Sequence, residues 1–132
     1  MDKITVKTQK RNELVDITSD IKGIIDSLNI ESGICILFCP HTTASLTINE
    51  AFDNSVKGDI TFSFNKISPN HKEFRHREGN SDAHVKSSIM GCSLNLIIDK
   101  GKVMLGQWQG IYFAEFDGPR TREVWIKVLC TV

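Results

Sequence analysis

The longest unbroken apolar run in the chain is Ile34 to Cys39. With Gly33 before it, this run reads as a central β-strand. It is far too short to cross a bilayer. Pro40 interrupts it, because proline cannot donate to a strand ladder. Ala44, Leu46 and Ile48 then alternate with Ser45, Thr47 and Asn49, so a second strand follows at once. Any fold of this chain must therefore place Pro40-His41-Thr42-Thr43 at a break between two strands.

The segments around that pair are equally patterned. Ile4, Val6 and Thr8 alternate, and a short strand is expected over Glu13 to Ile17. Thr18 or Ser19 is placed to cap a helix whose face is Ile21, Ile24, Ile25 and Leu28. Phe52, Val56, Ile60, Phe64 and Ile67 recur at helical spacing, despite Gly58, and predict a second helix. The polar residues 70 to 80 read as a loop, after which Ser81 can cap a third helix ending at Gly91. Everything beyond Gly91 reads as strands: Leu94–Asp99, Val103–Gln107, Ile111–Asp117 and Arg122–Thr131. Lys100-Gly101 is a hairpin turn, and Asp117-Gly118-Pro119 another turn. The pattern predicts an α+β fold of about eight strands and about three short helices. Mostly sequential hairpins imply two largely antiparallel sheets.

A chain of 132 residues suits one domain, here residues 1–132, and needs no disulfide or metal to fold. Sixteen basic residues balance sixteen acidic ones, so no global field draws in nucleic acid. The N-terminus lacks the apolar core of a signal peptide, and no membrane partner is expected. Cys35, Cys39, Cys92 and Cys130 form no CxxC pair and all sit in apolar segments. They read as buried free thiols, which places the chain in the cytoplasm. Phe74 and Tyr112 read as exposed aromatics that could serve self-association.

Three clusters could carry chemistry. His41 lies at the strand break, with Glu50 closing the second strand. His76 and His84 stand within nine residues, with Glu78 and Asp82 between them. Three histidines with an open position make a common catalytic zinc arrangement. The alternatives are a solvated loop residue at His76, a first-turn histidine facing water at His84, and a strand-end hydrogen bond at His41. Lys86 and Ser87 on the third helix, with Arg120 and Arg122 in the last turn, could clamp a phosphate. The favoured alternative is salt bridges from the arginines to Glu115, Asp117 and Glu123. Gln107-Trp108-Gln109 puts two amides on the face opposite Trp108, which reads as a core residue, while the glutamines could line a pocket.

Taken together, these segments resemble the YjbQ family of small proteins. The resemblance rests on residues 41–50, on His76 with Glu78-Gly79-Asn80, and on Ala83-His84-Val85-Lys86-Ser87-Ser88 with Gly91. It continues through Leu105-Gly106-Gln107-Trp108-Gln109-Gly110-Ile111 and Glu115-Phe116-Asp117-Gly118-Pro119-Arg120. It implies a homotrimer with a histidine and acidic cluster near a subunit boundary, suspected of binding a divalent metal at His41, His76 and His84. Zinc is favoured over magnesium or manganese. It also implies a secondary thiamine-phosphate synthase activity, a transfer that joins a pyrimidine diphosphate to a thiazole phosphate and releases pyrophosphate. In that reading His41, Glu50 and His84 hold the metal or move a proton. Lys86, Ser87, Arg120 and Arg122 bind phosphates, and Trp108 with Gln109 meets the heteroaromatic ring. A metal-dependent hydrolase and a non-catalytic metal- or ligand-binding trimer are the alternatives.

Overall fold

The computed structural model describes residues 1–131 and follows the predicted order of elements. The strands are β1 (Asp2–Lys7), β2 (Glu13–Asp16), β3 (Gly33–Phe38), β4 (Ala44–Glu50), β5 (Ser93–Asp99), β6 (Lys102–Met104), β7 (Gln109–Glu115) and β8 (Thr121–Cys130). The helices are α1 (Thr18–Leu28), α2 (Asn54–Ile67) and α3 (Ser81–Met90). One sheet has five strands in the order β1-β8-β3-β5-β6, and the other has three in the order β2-β7-β4. Every pairing is antiparallel. No helix among the described residues is long and apolar enough to cross a membrane.

The apolar run became β3, at the middle of the five-stranded sheet. The expectation of sequential hairpins was wrong: only β5 and β6 pair as sequence neighbours. Their turn is Lys100-Gly101, both at positive φ, the backbone that a two-residue hairpin needs. All other partners are distant in sequence, because successive strands from β1 to β5 alternate between the two sheets. Cys35 and Leu37 of β3, Ile126 of β8, Leu46 of β4 and Phe113 of β7 meet in that core. Ile21 and Ile25 of α1 join it, while Leu28, expected on the same face, is exposed.

The second face of the three-stranded sheet is also covered. Leu14, Tyr112, Ala114 and Phe116 pack with Ala83 of α3, and Ile60 and Phe64 of α2 lean on them. That double cover explains why β7 is buried from Gly110 to Glu115. Gly110 is required there, since a Cβ would stand 2.6 Å from that of Ala51. Tyr112, read as exposed, is buried, and its hydroxyl donates to the Glu50 carbonyl at 2.9 Å.

The helix starts differ from expectation by one position. Thr18 and Ser81 are the first helical residues, and Ile17 and Asn80 occupy the cap positions. Asp16 Oδ1 takes the Thr18 N–H instead, and Thr18 Oγ1 accepts the Ile111 N–H across to β7. Cys92 and Cys130 are exposed, against the expectation of four buried thiols, because both lie at strand ends beyond the core. All four cysteines are free.

Candidate active site

The break after β3 carries the chain from the five-stranded sheet to the three-stranded one. Cys39 still donates its N–H to Cys92 O at 2.7 Å, after which Pro40 stops the ladder. His41 therefore emerges at a sheet end, where its Nε2 accepts the Glu123 backbone N–H at 2.9 Å. His84 comes from the first half of α3 and His76 from the loop before it. Their rings stand at right angles with centroids 5.3 Å apart. All three histidines line one hollow of about 380 Å³, closed on its other side by Asp117, Arg120 and Arg122. A second hollow of about 380 Å³ shares His41, Thr42 and His84 and runs on to Ser87 and Cys92. The fold thus brings together three segments that are far apart in sequence, 40–43, 76–84 and 117–122.

Behind the hollow sits a buried ion pair. Arg122 Nε donates to Glu115 Oε2 at 2.8 Å, and its Nη2 donates to Glu115 Oε1 and to Thr43 Oγ1. Thr8 adds a hydroxyl to the same carboxylate at 2.8 Å. Burial pushes the Glu115 carboxyl up, but Arg122, the Asp117 N–H and the Thr8 hydroxyl outweigh it and hold it below the usual range. Burial, then Arg122, lowers His41, against the pull of the Glu115 and Glu123 carboxylates. At the rim, Arg120 donates to Asp117 Oδ2 at 2.9 Å, and Asn80 Nδ2 donates to the same atom at 2.7 Å. The favoured alternative for the arginines, salt bridges to Glu115 and Asp117, is what forms. Arg120 keeps an open flank on the hollow, whereas Arg122 is committed behind it.

Other expected site residues lie elsewhere. Lys86 is only 1% exposed. Its ammonium donates to Asn65 Oδ1 at 2.6 Å and to Asn12 Oδ1 at 3.1 Å, and stands 3.8 Å from Asp82. A lysine so enclosed cannot clamp a phosphate in the hollow. Ser87 lines the second hollow, but its hydroxyl donates to Ala44 O at 2.7 Å. Gln107 and Trp108 form a turn instead of a strand. Trp108, read as core, is 54% exposed and packs edge-on against Phe52, centroids 5.0 Å apart. Gln109 Oε1 accepts the Gly106 N–H at 2.7 Å. Glu50, Trp108 and Gln109 share a separate shallow pocket of about 220 Å³. It lies at the far end of β4, about 20 Å along the strand from its His41 end. Asn80, together with Asp117, expected only as a salt-bridge partner, forms a wall of the hollow. Asn80 Oδ1 has no hydrogen-bond partner among the described residues.

Among the described residues, no group of three or more His, Cys, Asp or Glu is disposed to hold a metal ion. Within the histidine set, His41 Nε2 already accepts the Glu123 N–H. The residues present do not fit the three-histidine zinc site that the resemblance implies.

The sequence matches the family model described as UPF0047 protein YjbQ-like over residues 2–131. A UPF0047 protein of Methanocaldococcus jannaschii is 53% identical over 96% of this chain and 92% of its own. The UPF0047 protein YugU of Bacillus subtilis is 47% identical over 96% of each. Among solved structures, an uncharacterized YjbQ/UPF0047 protein of Clostridium acetobutylicum superposes with a TM-score of 0.94 at 45% identity, covering 98% of this chain and 100% of that one. A protein of unknown function from Sulfolobus solfataricus gives 0.94 at 31% identity, covering 98% and 96%. With its whole described fold and nearly its whole sequence accounted for in this way, the chain belongs to the YjbQ-like UPF0047 family.

Proposed function

We propose that the histidine-lined hollow is the active site of an enzyme acting on a small phosphorylated molecule. The observation that carries this reading is the convergence of His41, His76, His84 and the open flank of Arg120 on one cavity of about 380 Å³. Guanidinium and imidazole N–H groups match phosphate oxygens, and Asn80, the N-cap residue of α3, lines the same hollow. A transferase of the thiamine-phosphate synthase type is the specific reaction favoured by the sequence resemblance. Its diphosphate leaving group needs charge neutralisation, for which Arg120 is available, and a proton carrier, for which His84 is available. Titration calorimetry with inorganic pyrophosphate tests the reading. Binding that Arg120→Ala weakens about tenfold supports it. No binding to the parent protein sinks it. Thiamine phosphate formed from the two phosphorylated precursors, followed by thiochrome fluorescence, separates the transferase from a binding module that holds ligand without turnover.

Assembly as a homotrimer is part of the proposal. Its support is the outward face of the five-stranded sheet, where Ile34, Phe38, Ile97, Met104 and Leu129 stand exposed. Ile34 is flanked in register by Ile97 and Leu129, and Ile97 by Met104, so the face is contiguous. Glu50, Trp108 and Gln109 could take part in the reaction only at the hollow of a neighbouring copy. Ile97→Glu should shift the sedimentation coefficient to that of a monomer, and a parent protein already monomeric at micromolar concentration would count against the trimer. Four free thiols suit a reducing compartment such as the cytoplasm.

A second reading, a metal-dependent hydrolase using zinc, magnesium or manganese, is favoured by the perpendicular His76–His84 pair. It calls for a further ligand beyond those one copy supplies. Elemental analysis of the parent beside His84→Ala decides it: stoichiometric metal lost in the variant supports the hydrolase, and none in either excludes a resident ion.

A further inference from the structure

The two nitrogens of a histidine ring stop being equivalent once one of them is committed. The Glu123 backbone N–H points at His41 Nε2 from 2.9 Å. The direction of that hydrogen is fixed by the peptide plane. Nε2 must therefore present a lone pair, because a proton there would set two N–H bonds against each other. A neutral imidazole then carries its single proton on Nδ1. Nδ1 makes no hydrogen bond among the described residues and is not sealed from solvent, while the ring lines both hollows.

We propose that His41 is a neutral hydrogen-bond donor, locked as its Nδ1–H tautomer by the Glu123 peptide and aimed at an anionic oxygen of the bound ligand. Burial of the ring, and then the Arg122 guanidinium behind it, favours the uncharged form. A neutral donor held in place keeps its direction as charge develops on the ligand, and needs no proton exchange with water. In this role His41 is neither a base nor a third metal ligand. Coordination through Nε2 would break the Glu123 bond, and coordination through Nδ1 would require that proton to leave. The donor role rests on the reading of the hollow as an anion site, while the tautomer stands on the geometry alone.

The test uses full-length protein labelled with ¹⁵N-histidine, with His41 assigned by comparison with His41→Gln. Long-range ¹H–¹⁵N spectra at neutral pH should show Nε2 unprotonated and Nδ1 protonated. Adding inorganic pyrophosphate should move the Nδ1–H resonance and leave Nε2 in place. An Nε2–H tautomer or an imidazolium overturns the proposal, and so does a zinc titration that shifts both His41 nitrogens. Affinity for pyrophosphate gives a second readout. His41→Gln keeps an acceptor and a donor and should bind within about threefold of the parent, whereas His41→Leu should bind about tenfold more weakly. Equal losses in the two variants overturn the donor role. If Nδ1–H ignores pyrophosphate while Arg120→Ala still weakens binding, His41's part falls and the reading of the hollow stands.

Discussion

Helices α2 and α3 cover the same face of the three-stranded sheet, and they hold to it in opposite ways. α2 carries the clearer apolar stripe, yet none of its residues is fully buried, and Phe62 and Ile67 are more than 60% exposed. α3 turns its apolar Val85 and Ile89 outward and buries Asp82, Ala83, Lys86 and Ser87 instead. Arg11 grips Asp82 with two hydrogen bonds, at 3.0 and 3.1 Å, and Lys86 ties α3 to Asn12 and to Asn65 of α2. Apolar contact tolerates small slides, whereas a buried polar network permits one arrangement. The helix that supplies His84 to the hollow is the one fixed by directional bonds.

The contrast predicts a graded series. Asp82→Ala should have the largest effect, because it leaves the Lys86 ammonium buried without its carboxylate. A loss of about 3 kcal/mol, or about 10 °C in Tm by calorimetry, is expected. Lys86→Met should cost less, about 1–2 kcal/mol, since Asp82 keeps its Arg11 partner. Acid sharpens the same point. Asp82 feels burial pushing its carboxyl up, but Arg11, Lys86 and the Ala83 N–H hold it below the ordinary range, as Arg122 does for Glu115. Both carboxyls therefore add stability at pH above the ordinary carboxylate values, and this is lost as pH falls through their lower folded values. Urea midpoints measured from pH 6 downward should fall steeply below about pH 4, and less steeply in Asp82→Asn. Smallest of all, Phe62→Ser on the outer edge of α2 should move Tm by no more than about 2 °C. If Phe62→Ser and Asp82→Ala moved Tm equally, the contrast between the helices would be lost.

The same two helices mark how far the sequence could be read. Element types followed local periodicity, and all eight strands and three helices were legible from alternation, spacing and turn residues. Strand partners were not, because β1 with β8 and β2 with β7 are joined across most of the chain and periodicity carries no record of distant pairing. At the site, the break at Pro40 and the dense segment from His76 to His84 stood out by composition. Lys86 was misread because a cation on a short polar helix looks solvated until Asn12, Asn65 and Asp82 are brought around it. Trp108 was misread because its segment turns at Gly106, leaving the ring with Phe52 and outside either core.

The strand order also dictates a sequence of events during synthesis. β8 lies between β1 and β3, and β7 between β2 and β4, so in each sheet a late-made strand separates two early ones. When β1 to β4 have left the ribosome, none of them has its main partner. The apolar residues of β3 must wait in an extended or collapsed state for more than seventy residues of further translation before β8 can insert beside them. Contacts so far apart in sequence slow folding and lengthen the exposure of unpaired edges. A nascent chain of this topology is therefore expected to call on ribosome-associated chaperones more than a helical chain of the same length would.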